Sequence, residues 1–201
     1  MAKKAYVYNG SAWEDLASSV SDLSSYATTV DLDDYQLKSV AGLEMLVNRD
    51  FAATASESFT NVFSATYSRY RVLISAFSAV GTPILNMQFR QNVTNVTTLY
   101  FGGSFQIRFD GVTAGVGFNS IGAIPVMPHM HTTGGSVVSL DIYRSATEGI
   151  VTGTGFNGQQ SGSYQVGANR SGMTNFTGFT IAPESSTMTG NVKIYGYKEV
   201  I

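Results

Sequence analysis

The sequence predicts a mainly β protein, in which a short N-terminal hairpin and a helical stalk precede an antiparallel, jelly-roll-like β-sandwich. The composition is one reason: 12 Phe and 11 Tyr stand beside a charged fraction of only 13%, which suits strands better than helix bundles. The glycines are the other, because 18 of the 21 follow residue 100 and separate short strand-like runs, a spacing typical of sandwiches and barrels. We predict three segments, at residues 1–14, 15–42 and 43–201.

The first segment, with Asp15 directly after it, contains "AYVYNGSAWED" (5–15). Asn9-Gly10 lies between two apolar-aromatic runs, and both residues tolerate positive φ, so the pair predicts a β-hairpin. The hairpin has too little apolar surface for a core of its own. We therefore expect it to attach to something larger.

The second segment carries apolar residues at spacings of 4, 3, 4 and 3, the heptad pattern of a helix seam. The residues are Leu16, Val20, Leu23, Ala27 and Val30. The pattern breaks at Asp34, and serines between the apolar positions weaken the helix. One copy would be marginal in water, whereas several copies wound together would bury the seam. We interpret residues 15–42 as a partly helical stalk or linker.

The third segment contains eight strand-like runs. They are "YRVLISAF" (70–77), "ILNMQFR" (84–90), "GSFQIRF" (103–109), "SVVSLDIYR" (136–144), "GIVTGTGF" (149–156), "SYQVGA" (163–168), "FTGFTIA" (176–182) and "NVKIYGY" (191–197). No helix-length segment separates them, which argues against a parallel α/β fold. We interpret "NVTNVTTLYFGGS" (92–104) as a long loop. The run at 191–197 is expected to be tied into a sheet, since a terminal strand is ordered only when it is paired.

Composition also excludes several classes of protein. Without cysteine there is no disulfide or thiol chemistry. The N-terminus lacks the apolar run of a secretory signal, and no stretch approaches the length of a membrane span. A net charge of −2 argues against a general nucleic-acid binder.

Three phrases, taken in order, resemble a known family. "VYNGSAWEDLASSVSDLSSYATT" (7–29) resembles the opening of many bacteriophage fibre proteins. "VFSATYSRYRVLIS" (62–75) and "FTGFTIAPESSTMTGNVKIYGYKE" (176–199) resemble the beginning and end of a C-terminal β domain common in phage tail-fibre and minor tail proteins. The likeness covers both ends of the chain, and the middle only in general character.

The resemblance implies a trimeric virion structural protein, made in the host cytoplasm and displayed on the particle surface. Its N-terminal segment, with Tyr6, Tyr8 and Trp13, would anchor it to tail or capsid proteins. Its β domain would bind a host surface glycan or protein without catalysis. A capsid decoration or head-fibre protein is the alternative, and a small depolymerase or a bacterial adhesin is a further one.

The two histidines form "PHMHTT", with His129 and His131 two residues apart. On a strand both side chains would face the same way, and three pairs on a trimer axis could hold one metal ion. The competing interpretation is a surface loop, because Pro125 and Pro128 disfavour a long central strand. No other cofactor is expected.

The stretch "GFNGQQSGSYQ" (155–165) is the candidate ligand-binding rim, because sugars are often held by an aromatic face beside amide donors. The candidate residues are Phe156, Asn157, Gln159, Gln160 and Tyr164. The competing interpretation places such aromatics in the sandwich core or a trimer interface.

Other patterns point to little chemistry. Gly153, Gly155 and Gly158 match the spacing of a dinucleotide-binding turn, but "QQSGSYQV" cannot open the helix that this motif needs. Asp33 and its neighbours in "DLDD" lack the glycine and distant glutamate of a calcium loop. Four scattered acids show no catalytic pattern: Asp110, Asp141, Glu148 and Glu184.

Overall fold

A computed structural model describes residues 6–8, 10–15, 42–108, 110–132, 135–145, 147–157, 162–172 and 175–198. The chain divides into two compact units. One comprises residues 1–40 with 200–201, and the other comprises residues 41–199.

The first unit contains the predicted hairpin. Strands β1 (Tyr6–Tyr8) and β2 (Trp13–Asp15) pair antiparallel, with Tyr8 opposite Trp13. Gly10 has a φ of 96°, which an L side chain rarely adopts, and its carbonyl accepts a hydrogen bond of 3.1 Å from the Tyr8 hydroxyl. The helical seam predicted at residues 16–30 lies outside the described residues.

The second unit is built from antiparallel strands, and its described residues contain no helix, so the prediction of a mainly β, antiparallel fold is confirmed. An eight-stranded sheet has the order β3-β15-β5-β11-β12-β13-β8-β9 and a five-stranded sheet has the order β10-β6-β14-β4, with β7 paired to β6. The strands are β3 (Gly42–Thr54), β4 (Glu57–Phe59), β5 (Arg69–Ser78), β6 (Leu85–Gln91), β7 (Thr94–Asn95), β8 (Tyr100–Ile107), β9 (Thr113–Ile121), β10 (Ile124–Met127), β11 (Ser136–Arg144), β12 (Glu148–Asn157), β13 (Gly162–Ser171), β14 (Gly178–Pro183) and β15 (Met188–Lys198).

Several strands of the large sheet alternate between buried and outward-facing residues. In β5, Tyr70, Val72 and Ile74 are buried, while Arg71 and Leu73 between them face outward. Strands β11, β13 and β15 alternate in the same way. Because side chains on a strand have a period of two, each of these strands gives one face to the core and one to the outside.

Both sheets contribute to one buried cluster, as a β-sandwich requires. Strand β6 of the small sheet adds Leu85, Met87 and Phe89 to it, all fully buried. Aromatic rings stack on the small-sheet side of this core: Phe89 stacks on Phe176 with 4.6 Å between centroids, and Phe59 on its cross-strand partner Phe179 with 4.9 Å. Such pairs stabilise the core beyond their buried area.

All eight predicted runs contain a strand, but five strands were missed, namely β3, β4, β7, β9 and β10. The long loop predicted at 92–104 is wrong in part, because β7 lies within it and β8 begins at Tyr100. The expectation for the run at 191–197 is confirmed, since β15 pairs with β3 on one side and β5 on the other.

Candidate functional site

The outer face of the eight-stranded sheet, turned away from the core, is the candidate site. Residues directly opposite one another form three rows across β5, β11, β12, β13, β8 and β9. The glycine row is Arg71, Asp141, Thr152, Gly167, Gly103 and Gly117. The mixed row is Leu73, Ser139, Thr154, Gln165, Phe105 and Gly115. The apolar row is Ser75, Val137, Phe156, Ser163, Ile107 and Thr113.

An open groove of about 770 Å³ lies over the glycine and mixed rows. The floor of the groove is bare backbone at Gly167 and Gly117, because these residues have no side chain and a Cβ added to either would meet no atom within 4 Å. Thr152, Thr154 and Gln165 line it with hydroxyl and amide groups, and Phe105, 44% exposed, lines it with an aromatic ring. The groove can therefore admit a flat polar ligand close to the backbone.

An ion pair closes one end of this groove. Arg71 donates from Nε to Asp141 Oδ1 over 3.2 Å and from Nη2 to Asp141 Oδ2 over 2.9 Å. The Tyr197 hydroxyl donates to Oδ1 over 2.9 Å. Burial by itself raises the pKa of Asp141, but these hydrogen bonds and the charges of Arg71 and Arg69 outweigh it, so the pKa lies below its usual value. Asp141 is thus held as a carboxylate.

Arg69 lies beside this pair, two residues along β5. Its guanidinium carbon is 4.6 Å from the centroid of the Tyr143 ring and 4.4 Å from that of Tyr197. Cation–π contacts with two rings restrict the guanidinium. Arg69 also lines an adjoining pocket of about 290 Å³ together with Arg144 and Glu148.

A second groove, of about 620 Å³, lies over the mixed and apolar rows. Leu73, Val137 and Phe156 line it with side chains that are 36%, 45% and 42% exposed. Lys193 of β15 lines it as well. Three of the large exposed apolar side chains of the outer face therefore lie next to one another in this groove.

The residues predicted for ligand binding are not all on this face. Phe156 belongs to the apolar row, whereas Asn157 and Tyr164 are buried. Tyr164 packs in the core, its hydroxyl donates to the Val137 carbonyl over 3.2 Å, and burial raises its pKa. Gln159 and Gln160 lie outside the described residues. Of the five, Phe156 alone is shown on an exposed surface.

The histidine pair lies outside the regular strands. His129 and His131 are half-buried on either side of the fully buried Met130, and His131 forms an isolated bridge with Phe77. The described residues of one chain contain no group of three or more side chains that could hold a metal ion. A shared site on a trimer axis remains a prediction.

Two glycines of the G-x-G-x-x-G spacing have a packing role. Gly153 and Gly155 lie in β12, where a Cβ would collide with Leu140 or with the Tyr164 ring. Gly158 lies outside the described residues. Strand β12 pairs with β13 along its whole length. Gly153 and Gly155 therefore belong to a sheet and not to a turn that opens a helix.

The sequence reasoning missed the groove. Arg71 had a detectable signal, since it is a polar residue at an outward position of a strongly alternating strand. Asp141 was noted as a scattered acid, and the outward glycines as turn markers. These residues come together only because six strands pair side by side. Pairing between strands that are distant in the chain leaves no pattern that a single sequence shows.

Comparisons with known proteins add no relative. No protein-family model matches the sequence, and no curated protein matches it. Within the described part of the chain, no helix has the length and apolar character to cross a membrane.

Proposed function

We propose that this protein is a non-enzymatic structural protein of a bacteriophage particle, a trimeric tail fibre that binds a glycan on the host surface. The observation that carries the proposal is the open groove of about 770 Å³ along the glycine row, in which hydroxyl, amide and charged groups lie beside an aromatic ring. The resemblance of both ends of the chain to phage fibre proteins supports the setting. The N-terminal segment at residues 1–14, which contains most of the hairpin, would attach the protein to the virion.

The groove suits a saccharide. A pyranose has apolar C–H faces and polar edges, so it is held by an aromatic surface beside hydroxyl, amide and charged groups. Phe105 provides the first, and Thr154, Gln165 and the Arg71–Asp141 pair provide the second. An open groove gives modest affinity for one site, and three copies per fibre raise the avidity of the whole particle.

Blocking the groove tests the proposal. Gly167→Tyr would fill it with a ring at a position where a Cβ meets no atom within 4 Å, and tyrosine suits a strand. Val93→Tyr is the matched control, because Val93 is 77% exposed in a turn. We expect labelled wild-type protein and the control to stain host cells, and Gly167→Tyr to lose at least tenfold in apparent affinity.

Two further results would redirect the proposal. Staining of no bacterial strain by the wild type would favour a capsid decoration protein, which the same anchor and exposed domain would fit. Incorporation into particles after deletion of residues 1–14 would overturn the anchoring role. Light scattering of the purified protein should give about three times the chain mass of 21.5 kDa, and a monomer would contradict the trimer.

A further inference from the structure

Arg69 has a charge that its neighbours only partly compensate. Its closest carboxylate oxygen is Asp141 Oδ2, at 3.7 Å from Nη2, whereas Arg71 reaches the same oxygen at 2.9 Å. Arg71 also takes Oδ1, and so does Tyr197. In addition, the buried Nε of Arg69 has no hydrogen-bond partner. Asp141 is therefore committed mainly to Arg71.

The local charge balance leaves an excess of one positive charge. Three arginines, Arg69, Arg71 and Arg144, line the groove end and the adjoining pocket, against two acids, Asp141 and Glu148. Arg144 donates a hydrogen bond of 2.8 Å to the Ser64 carbonyl, which leaves its charge uncompensated there. The field at this end of the groove thus favours an anion.

The contacts with Tyr143 and Tyr197 also limit the conformations of the Arg69 side chain. Rings of Tyr143 and Tyr197 lie within 5 Å of the guanidinium carbon, so the side chain loses little further freedom when it binds. Arginine presents its donors as a rigid fork that matches carboxylate and phosphate oxygens. About 36% of the side chain is accessible to solvent, enough for an anion to approach.

We propose that Arg69 binds an acidic group, a carboxylate or a phosphate, on a saccharide whose neighbouring units lie along the glycine row. The inference rests on the proposed function and names its ligand class, an acidic cell-surface polysaccharide. Arg69 and Arg71 are about 7 Å apart along β5. From Arg71 to Gly117 the row crosses five strand-to-strand intervals, or about 24 Å, so the face spans several sugar units.

The test compares three probes by isothermal titration calorimetry with the full-length protein. They are an oligosaccharide of alternating glucuronic acid and N-acetylglucosamine, its carboxyl-reduced neutral counterpart, and a glycerol phosphate oligomer of similar length. We expect the wild type to bind one acidic probe at least tenfold more tightly than the neutral one, with a preference that shrinks as salt rises. Which acidic probe wins identifies the anion.

Variants locate the preference. Arg69→Met should remove it while retaining binding of the neutral probe, and Arg69→Lys should keep only part of it because a lysine lacks the fork. Arg108→Met is the matched control, since Arg108 is a partly exposed arginine, 39% accessible, paired with Asp110 at 3.0 Å. Thermal unfolding of each variant checks folding; if Arg69→Met does not fold, Arg69→Lys still decides the point.

Each remaining outcome has a definite meaning. Equal binding of acidic and neutral probes, or an unchanged preference in both Arg69 variants, overturns the role of Arg69 and leaves the glycan-binding function standing. Binding of none of the probes, together with no staining of host cells, overturns the proposed function and this inference with it.

Discussion

Gly155 lies directly beneath the ring of Tyr164. The two residues are opposite each other in the β12–β13 register, and a Cβ built on Gly155 would lie 2.2 Å from Tyr164 Cζ. The absence of a side chain at 155 lets the tyrosine lie flat over the neighbouring strand, where its hydroxyl reaches the Val137 carbonyl. A glycine that the sequence marks as part of a loop motif thus shapes the core.

Gly155→Ala should therefore destabilise the fold. The new methyl group would displace a buried ring and a backbone carbonyl 2.5 Å away, and overpacking of this kind costs about 1–3 kcal/mol. Urea unfolding measures the loss. Gly167→Ala is the matched control on the adjacent strand, facing the open groove, and should change the free energy of unfolding by less than about 0.5 kcal/mol; equal effects would contradict the packing role.

Tyr100 should make the protein sensitive to alkali. Burial raises the pKa of Tyr100 to about 12, against about 10 in an unfolded chain. Below pH 10 the hydroxyl is protonated in both states, so its stabilising contribution is complete. Between pH 10 and 12 the unfolded state loses its proton first, and up to about 3 kcal/mol is lost. Tyr100→Phe should make the decline over that range shallower, while Tyr164, whose pKa is also raised by burial, still contributes to it.

The control is the free energy of unfolding of Tyr100→Phe at neutral pH. The Tyr100 hydroxyl accepts from the Phe89 amide over 2.8 Å and donates to the Val96 carbonyl over 2.9 Å, so the variant should lose about 1–2 kcal/mol at pH 7. A variant whose stability between pH 10 and 12 falls as steeply as the wild type would show that other groups cause the alkaline loss.

Asp141→Asn should lower the free energy of unfolding more at pH 7 than at pH 3. The folded-state pKa of Asp141 is lowered, so its contribution is present above about pH 4 and is lost as the pH falls through the folded value. We expect a loss of about 1–2 kcal/mol at pH 7, allowing for partial exposure, and a smaller difference at pH 3. Asp110→Asn, at a half-exposed acid, should be nearly neutral at both.

Phe156→Ser tests the apolar row. The ring is 42% exposed on the outer face, so the free energy of unfolding should fall by no more than about 1 kcal/mol. We expect staining of host cells to weaken and the mass in solution to stay the same. A fall in mass with unchanged folding would show instead that copies of the chain cover this row.

The sequence predicts a strand correctly when the signal, an alternation of apolar and polar residues, lies within that strand. The alternation in "YRVLISAF" and "SVVSLDIYR" reflects one buried face, and it located β5 and β11 correctly. Strand β9 lacks such alternation because most of its residues are exposed, and it was missed. Strand β10 is short and contains Pro125, which the sequence rules count against a strand.

The error at residues 92–104 has a tertiary cause. Arg90 donates to Asn95 Oδ1 over 2.8 Å and to the hydroxyls of Ser58 and Thr180 over 3.0 and 2.8 Å. These contacts hold β7 against β6. They also give a hydrogen-bond partner to the side-chain amide oxygen of Asn95, a residue type that in the sequence alone is typical of a loop. The groove was missed for the same reason, because its rows bring together residues 71, 103, 117, 141 and 167.

The position of β15 between β3 and β5 sets an order of events during synthesis. A ribosome produces β3 and β5 early and β15 after every other described strand, yet β15 supplies the only sheet pairing of β3 in the described part of the chain. The nascent chain therefore carries an unpaired 13-residue strand until residue 198 has emerged, and pairings of such long sequence separation form slowly. Contact between copies before residue 198 has emerged is thus the hazard that this topology creates.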